Sequence, residues 1–315
     1  MNRREFLIGL GAALGTSRGL FAARAADFDE NLAVFLSDVH VNGLDTFPVA
    51  ATYHTAGKPV KTCMRKWFTA SVAEILRMDP LPRNVIIFGD LAYIKGRPED
   101  YRRSYPELKL LVDAGIRLTI GMGNHDHRKE FLEVWPEYAK RTLIPGLIHT
   151  VTPLPGVDLI MLDTLDDAGK IESLNPVAGK LAPEALDWIR AELPKWPRPF
   201  VLGAHHSVRE IRLDLKDFPN CRGYIHGHDH IWKTDITTYQ DNRGLPLLTL
   251  PSNGCWGDIG YALFRIGERG GRKVAVASLV QKDFYLRAPV AKEKRKPAWD
   301  LRLEENRGRT CTFAI

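Results

Sequence analysis

Short apolar runs that end in polar clusters recur along the 315-residue chain. Leu32 to Leu36 suits a buried strand and runs directly into Asp38-Val39-His40. Trp67, Phe68, Ser71, Val72, Ile75 and Leu76 recur at helical spacing, and Asp79-Pro80 marks the stop. Val85 to Phe88 is the next strand, leading into Gly89-Asp90. Glu99 to Ala114 predicts a second helix, with Leu108, Leu111 and Val112 inward and Gly115 beyond its end. Leu118 to Met122 then delivers Gly123-Asn124-His125-Asp126-His127. Strand, helix, strand, helix, strand is the pattern of a layered α/β sheet.

Arg128 to Lys140 reads as a helix interrupted at Pro136, and Ile148 to Thr152 and Leu159 to Leu162 as strands. Pro183 to Leu193 is a helix with proline in its first turn. Phe200 to Leu202 is the strand before His205-His206. After Gly223 the texture changes to short strands with few helical stretches, which predicts a second, largely antiparallel sheet. The expected fold class is α/β, two packed mixed β-sheets flanked by helices. Residues 27–290 would form one domain, and 291–315, charged and interrupted by proline, a surface tail. The stretch from Asn42 to Pro59 has no periodicity and reads as a long loop beside Asp38 and His40.

Hydrophobic content of 44% is ample for a sizeable core. The formal charge is +6, of which half comes from four arginines against Glu5 in residues 1–25. The remaining bias is too weak to argue for nucleic acid. From Arg3-Arg4-Glu5-Phe6-Leu7, a short apolar segment to Leu14, and Ala23-Arg24-Ala25, residues 1–25 are expected to be an export signal that resembles the twin-arginine type, with an uncleaved N-terminal anchor as the alternative. Its apolar run is too short for a stable membrane span. The mature chain is therefore expected to be soluble and periplasmic or secreted, with the twin-arginine machinery as its export partner. Cys63, Cys221, Cys255 and Cys311 form no C-x-x-C motif, which argues against a zinc ribbon. Disulfides and buried free thiols both stay open.

Taken singly, each polar cluster is an ordinary turn or cap. Gly227-His228-Asp229-His230 is the most specific, since alternate residues on an extended chain put two imidazoles on one side. Together the five clusters, all at strand exits, supply carboxylates, imidazoles and an amide oxygen without thiolate. That donor set suits Mn, Fe, Zn or Co. The donors are too many for one ion, so two ions sharing a carboxylate are expected.

The order Asp-x-His, Gly-Asp, Gly-Asn-His-Asp, His-His, Gly-His-x-His resembles that of the calcineurin-like metallophosphoesterases, from Asp38 to His230. The resemblance implies their sandwich fold and hydrolysis of phosphoric esters, with a small phosphorylated substrate. By motif, Asp38, His40 and His230 would hold one ion and Asn124, His205 and His228 the other, with Asp90 bridging. Two cations roughly 3.5–4 Å apart can activate a shared water. His125 would donate a proton to the leaving oxygen, supported by Asp126. His206 is expected near substrate phosphate, although Ser207-Val208 replaces the prolines that often follow. Tyr93 completes Gly-Asp-x-x-Tyr, which resembles the purple acid phosphatase element whose tyrosine binds ferric iron. That group lacks a histidine where His40 stands, so a packing or substrate-side role is expected of Tyr93. His127 and His54 read as surface or pocket-lining histidines, and Asn253 to Gly257 as a glycine-rich rim. The competing reading is a non-catalytic metal-binding scaffold of the same fold, and the intact ligand set argues against it. No Gly-x-Ser-x-Gly elbow supports a serine hydrolase.

Overall fold

In a computed structural model of the chain, residues 27–42, 47–49, 60–62, 65–93, 95–169, 174–236, 244–254, 257–285 and 292–315 are described. The expected export signal, His54, Cys63, Cys255 and most of the 42–59 loop lie outside the described residues.

The strands in chain order are β1 (Phe28–Leu36), β2 (Phe47–Val49), β3 (Val60–Thr62), β4 (Leu81–Ile87), β5 (Arg117–Ile120), β6 (Thr150–Leu154) and β7 (Val157–Met161). They continue with β8 (Phe200–Ala204), β9 (Cys221–His226), β10 (Lys233–Ile236), β11 (Pro246–Thr249), β12 (Gly257–Arg269), β13 (Arg272–Tyr285) and β14 (Thr310–Ala314). The helices are α1 (Lys66–Ile75), α2 (Pro98–Asp113), α3 (Arg128–Val134), α4 (Tyr138–Arg141), α5 (Pro183–Glu192) and α6 (Lys292–Asn306). One six-stranded sheet runs β14-β13-β12-β1-β4-β5 and the other β10-β11-β9-β8-β7-β6, while β2 and β3 form a separate hairpin.

Strand alternation builds the layers. In β1, Val34 and Leu36 pack with Phe68 and Val72 of α1 and Leu108 of α2. Ala33 and Phe35 face the other way and meet Leu159, Met161 and Val201 of the second sheet. Ile160 and Leu202, from the far face of that second sheet, pack on Ala185 and Ile189 of α5. The result is helix, sheet, sheet, helix. Within it β1, β4 and β5 are parallel neighbours, and so are β7, β8 and β9. Their C-terminal ends carry the polar clusters.

Two expectations need correction. The strands after Gly223 do not make a sheet of their own. The strands β9, β10 and β11 complete the second sheet, while β12 returns to pair antiparallel with β1 in the first and β13 pairs antiparallel with β12. Period-2 patterning defines a strand and one buried face but does not say which sheet edge receives it. Nor is the 291–315 segment a surface tail. Residues of α6 reach back to Asp258, and β14 pairs with β13. The high charge of this stretch obscured the alternation of Cys311 and Phe313, which are buried between exposed or half-buried neighbours. Cys221 and Cys311 are both buried, and burial pushes the Cys311 thiol up to about 12.

The fully buried Phe313 ring lies 5.8 Å from that of Phe264. Phe313→Ala should cost about 3–5 kcal/mol in urea denaturation, the usual range for a buried aromatic. A loss below about 0.5 kcal/mol would restore the surface-tail picture.

Candidate metal centre

The backbone is the first sign of function. Among the described residues, six non-glycine positions have positive φ: Asp38, His40, Asp90, Arg212, His228 and His230. Five of them are predicted metal ligands. Left-handed backbone costs a β-branched or bulky residue free energy and persists where surrounding structure imposes it, which is why it clusters at functional sites.

Asp38 leaves β1, and its carboxylate accepts hydrogen bonds from Ser37 Oγ at 2.6 Å and from the His228 backbone N–H at 3.1 Å. His230 Nε2 stands 3.1 Å from Asp38 Oδ1 and 3.2 Å from His40 Nε2. Asp90 leaves β4; its Oδ1 accepts the His125 backbone N–H at 2.8 Å, and its Oδ2 lies 3.2 Å from His205 Nε2 and 3.8 Å from His40 Nε2. His205 Nε2 is also 3.2 Å from Asn124 Oδ1 and 3.2 Å from His228 Nδ1. All seven predicted ligands therefore converge. Ligand atoms of Asp38, His40 and His230 lie within 4.8 Å of one another, as do those of Asp38, Asp90 and His205.

Such crowding needs glycine. A Cβ on Gly123 would overlap the Asp90 carboxylate, and one on Gly89 would come 2.8 Å from both Gly123 N and His205 Nδ1.

The charges fit a cation site. Burial opposes ionisation of both carboxylates, yet His230 and His205 hold Asp38, and His205 and His125 hold Asp90, well below the usual range. Burial likewise opposes a charged His205, but Asp90 and Asp38 raise it to about 10. Burial lowers His40 to about 3 and lowers His228 as well, leaving neutral imidazoles of the kind that ligate metals. Two fully buried carboxylates concentrate negative charge here, and a metal ion ligated by His205 would take the place of its proton. A divalent cation would neutralise that negative charge.

His125, 29% exposed, is the accessible member of the group, with Nε2 3.9 Å from Asp90 Oδ2. His206 is buried; its Nδ1 bonds Thr164 Oγ1 at 2.8 Å, and its Nε2 has no hydrogen-bond partner among the described residues. Burial, then His205 and His228, lower it to about 2. The Tyr93 ring stands edge-on to that of His40, centroids 6.2 Å apart.

Asp126 does not support the His125 ring. Its buried carboxylate accepts from Gly123 N at 2.9 Å, Ala92 N at 3.0 Å and Tyr101 OH at 3.1 Å, stitching the Gly-Asp loop to the Gly-Asn-His-Asp loop. His127 is not a solvated surface histidine: it is buried, with Nδ1 2.8 Å from Asp167 Oδ1. Asn253 sits beneath the site, where its Nδ2 donates to Ser71 Oγ at 2.8 Å, and Ser252 Oγ donates to the Asp38 carbonyl at 2.9 Å.

Sequence reasoning missed two supports. Asn175 Nδ2 donates to the carbonyls of Asn124 at 3.1 Å and Asp126 at 2.7 Å; nothing local in the sequence signals this. Glu210 Oε1 lies 3.7 Å from His228 Nε2, while its Oε2 accepts from Ser207 N at 3.0 Å. The Ser-x-x-Glu spacing of a capping box was the available signal.

Residues 33–232 match the family described as calcineurin-like phosphoesterase. The chain belongs to that family. It is accordingly a hydrolase of phosphoric esters, and the family implies divalent metal ions. A probable cyclic nucleotide phosphodiesterase from Psychrobacter arcticus is 25% identical over 240 residues, 69% of this chain and 78% of that protein. In fold, the chain is similar to a dimetal phosphatase from Danio rerio, with TM-score 0.55, 13% identity, and 82% of this chain and 96% of that one covered. A purple acid phosphatase from yellow lupin gives TM-score 0.51 and 11% identity, covering 80% of this chain and 51% of that one.

Asp126→Asn removes an acceptor oxygen that several donors share. It should destabilise the fold by about 1–3 kcal/mol in thermal unfolding and weaken metal binding. The basic limb of the pH–rate profile should stay in place. A displaced limb would mean that Asp126 tunes His125 after all.

Proposed function

We propose that the chain is a binuclear metal-dependent phosphodiesterase. Asp38, His40 and His230 would hold one ion, Asn124, His205 and His228 the other, and Asp90 would bridge. The observation that carries this reading is the convergence of five side chains around the two buried carboxylates, Asp38 and Asp90, which share neighbouring imidazoles. The diester class is supported by the name of the Psychrobacter relative. Bound there, such ions would supply Lewis-acid stabilisation of phosphoryl oxygens and lower the pKa of an attacking water.

The chain's own residues supply the remainder. The bond from the His125 backbone N–H to Asp90 Oδ1 fixes where the exposed imidazole can reach. From there a protonated His125 donates to the leaving oxygen, which a basic alkoxide needs more than a phenolate does. His206 Nε2, buried and without a hydrogen-bond partner among the described residues, is the donor we assign to a phosphoryl oxygen. Tyr93 packs on the His40 ring and flanks the substrate side.

Protein stripped of metal and reloaded with Mn, Fe or Zn should regain activity, with bis-p-nitrophenyl phosphate cleaved faster than p-nitrophenyl phosphate. The reverse ratio would make it a monoesterase. His125→Ala should keep both ions by elemental analysis and lose about 10²–10⁴-fold in kcat on alkyl esters, but less on p-nitrophenyl esters. Equal losses would remove His125 from the acid role.

Export by the twin-arginine route belongs to the same proposal and is supported by residues 1–25 alone. Folding and loading before export would favour cytoplasmic Mn or Fe. Replacing Arg3 and Arg4 with lysine should leave the protein in the cytoplasm on cell fractionation. Unchanged envelope localisation would exclude that route.

A further inference from the structure

The loop that carries His228 and His230 has no helix or strand of its own to fix its end, since β10 begins only at Lys233. It is fixed from outside. The Asp258 backbone N–H donates to the His230 carbonyl at 2.8 Å, and Asp258 Oδ2 accepts from the Trp232 backbone N–H at 2.7 Å. Residues 230–232 are thus bonded at both ends to one fully buried residue at the start of β12. Asp258 is in turn gripped by α6. Arg302 Nε donates to its Oδ1 at 2.9 Å and Arg302 Nη2 to its Oδ2 at 2.5 Å; the same Nη2 donates to the Trp232 carbonyl at 3.0 Å. Asn306 Nδ2, one turn further along α6, reaches Asp258 Oδ1 at 3.3 Å. At φ +56°, His230 occupies a backbone region in which a brace is needed.

We propose that Arg302, acting through Asp258, is a positioning residue for the metal ligand His230, so that the C-terminal helix sets the affinity of one of the two ions. The inference rests on the reading of His230 as a ligand. The planar guanidinium fork matters because it spans a carboxylate and a carbonyl together, which an ammonium cannot do in the same geometry. Charge alone is therefore insufficient.

The test is isothermal titration of the full-length, metal-stripped protein with Mn²⁺, for wild type and for Arg302→Gln, Arg302→Lys and His230→Ala, alongside thermal unfolding of each. In the Arg302→Gln protein one ion should bind as in wild type and the other about tenfold more weakly, in the range typical of lost support behind a ligand. Arg302→Lys should fall between the two and serves as the test variant if Arg302→Gln fails to fold. The metal concentration for half-activation should rise, with kcat at saturating metal nearly restored. His230→Ala should lose the same ion altogether. Equal weakening of both ions, or a fall in melting temperature with unchanged metal affinity, would reduce Arg302 to a structural role and overturn the proposal. If His230→Ala binds both ions normally, the ligand reading itself fails. If His230→Ala loses one ion while both Arg302 variants bind like wild type, the ligand reading stands and the clamp does not.

Discussion

Two fully buried carboxylates set the terms for this structure. Asp38 and Asp90 leave adjacent parallel strands of one sheet and have almost no contact with solvent. An isolated carboxylate in such a place would cost several kcal/mol, and in most proteins it would take up a proton. Here both are ringed by donors: the Ser37 hydroxyl, the His228 and His125 backbone N–H groups, and the imidazoles of His205 and His230. The glycines and the left-handed backbone around them let so many polar groups approach so closely. Packing alone would not select that arrangement.

Support for the site comes in successive shells that owe little to the hydrophobic core. Asp126 ties two ligand-bearing loops through backbone N–H groups, and Asn175 ties one of them again through carbonyls. The pair Arg128 and Asp163, bonded through Nε at 2.7 Å and Nη2 at 2.8 Å, anchors the start of α3 just after His127. Each of these groups is buried or half-buried and hydrogen-bonded, so each loses most when its partner is removed. This explains why a polar loop such as Gly123 to His127 can hold a defined shape at the exit of a strand.

Much of this was legible from sequence because it depends on local order. Runs such as Leu32 to Leu36 and Val85 to Phe88 are buried strands, and the residues after them must emerge at a sheet's C-terminal edge. The convergence of Asp38, Asp90, Asn124, His205, His228 and His230 follows from that placement. What depended on long-range choice was not legible. Nothing in the alternation of Tyr261 to Ile266 says that β12 pairs with β1 rather than extending the second sheet. The same holds for Asp126. A carboxylate next to a histidine suggests a partner for its ring, yet consecutive side chains diverge, and this one meets backbone N–H groups of a loop some 35 residues earlier. Charge concealed α6, whose arginine serves an acid 44 residues upstream.

The division of ligands between the sheets has a thermodynamic consequence. In the proposed pair, one ion takes Asp38 and His40 from loops of the first sheet and His230 from the second. The other takes Asn124 from the first and His205 and His228 from the second. Neither set exists until the two sheets have packed, so whatever free energy the ions release on binding is also free energy of holding the sheets together. At free metal about a thousandfold above the dissociation constant, a single such ion would add about 4 kcal/mol. That is a large share of the stability of an ordinary domain. The buried charge that makes the apoprotein costly to fold is thereby what makes the loaded protein hard to unfold.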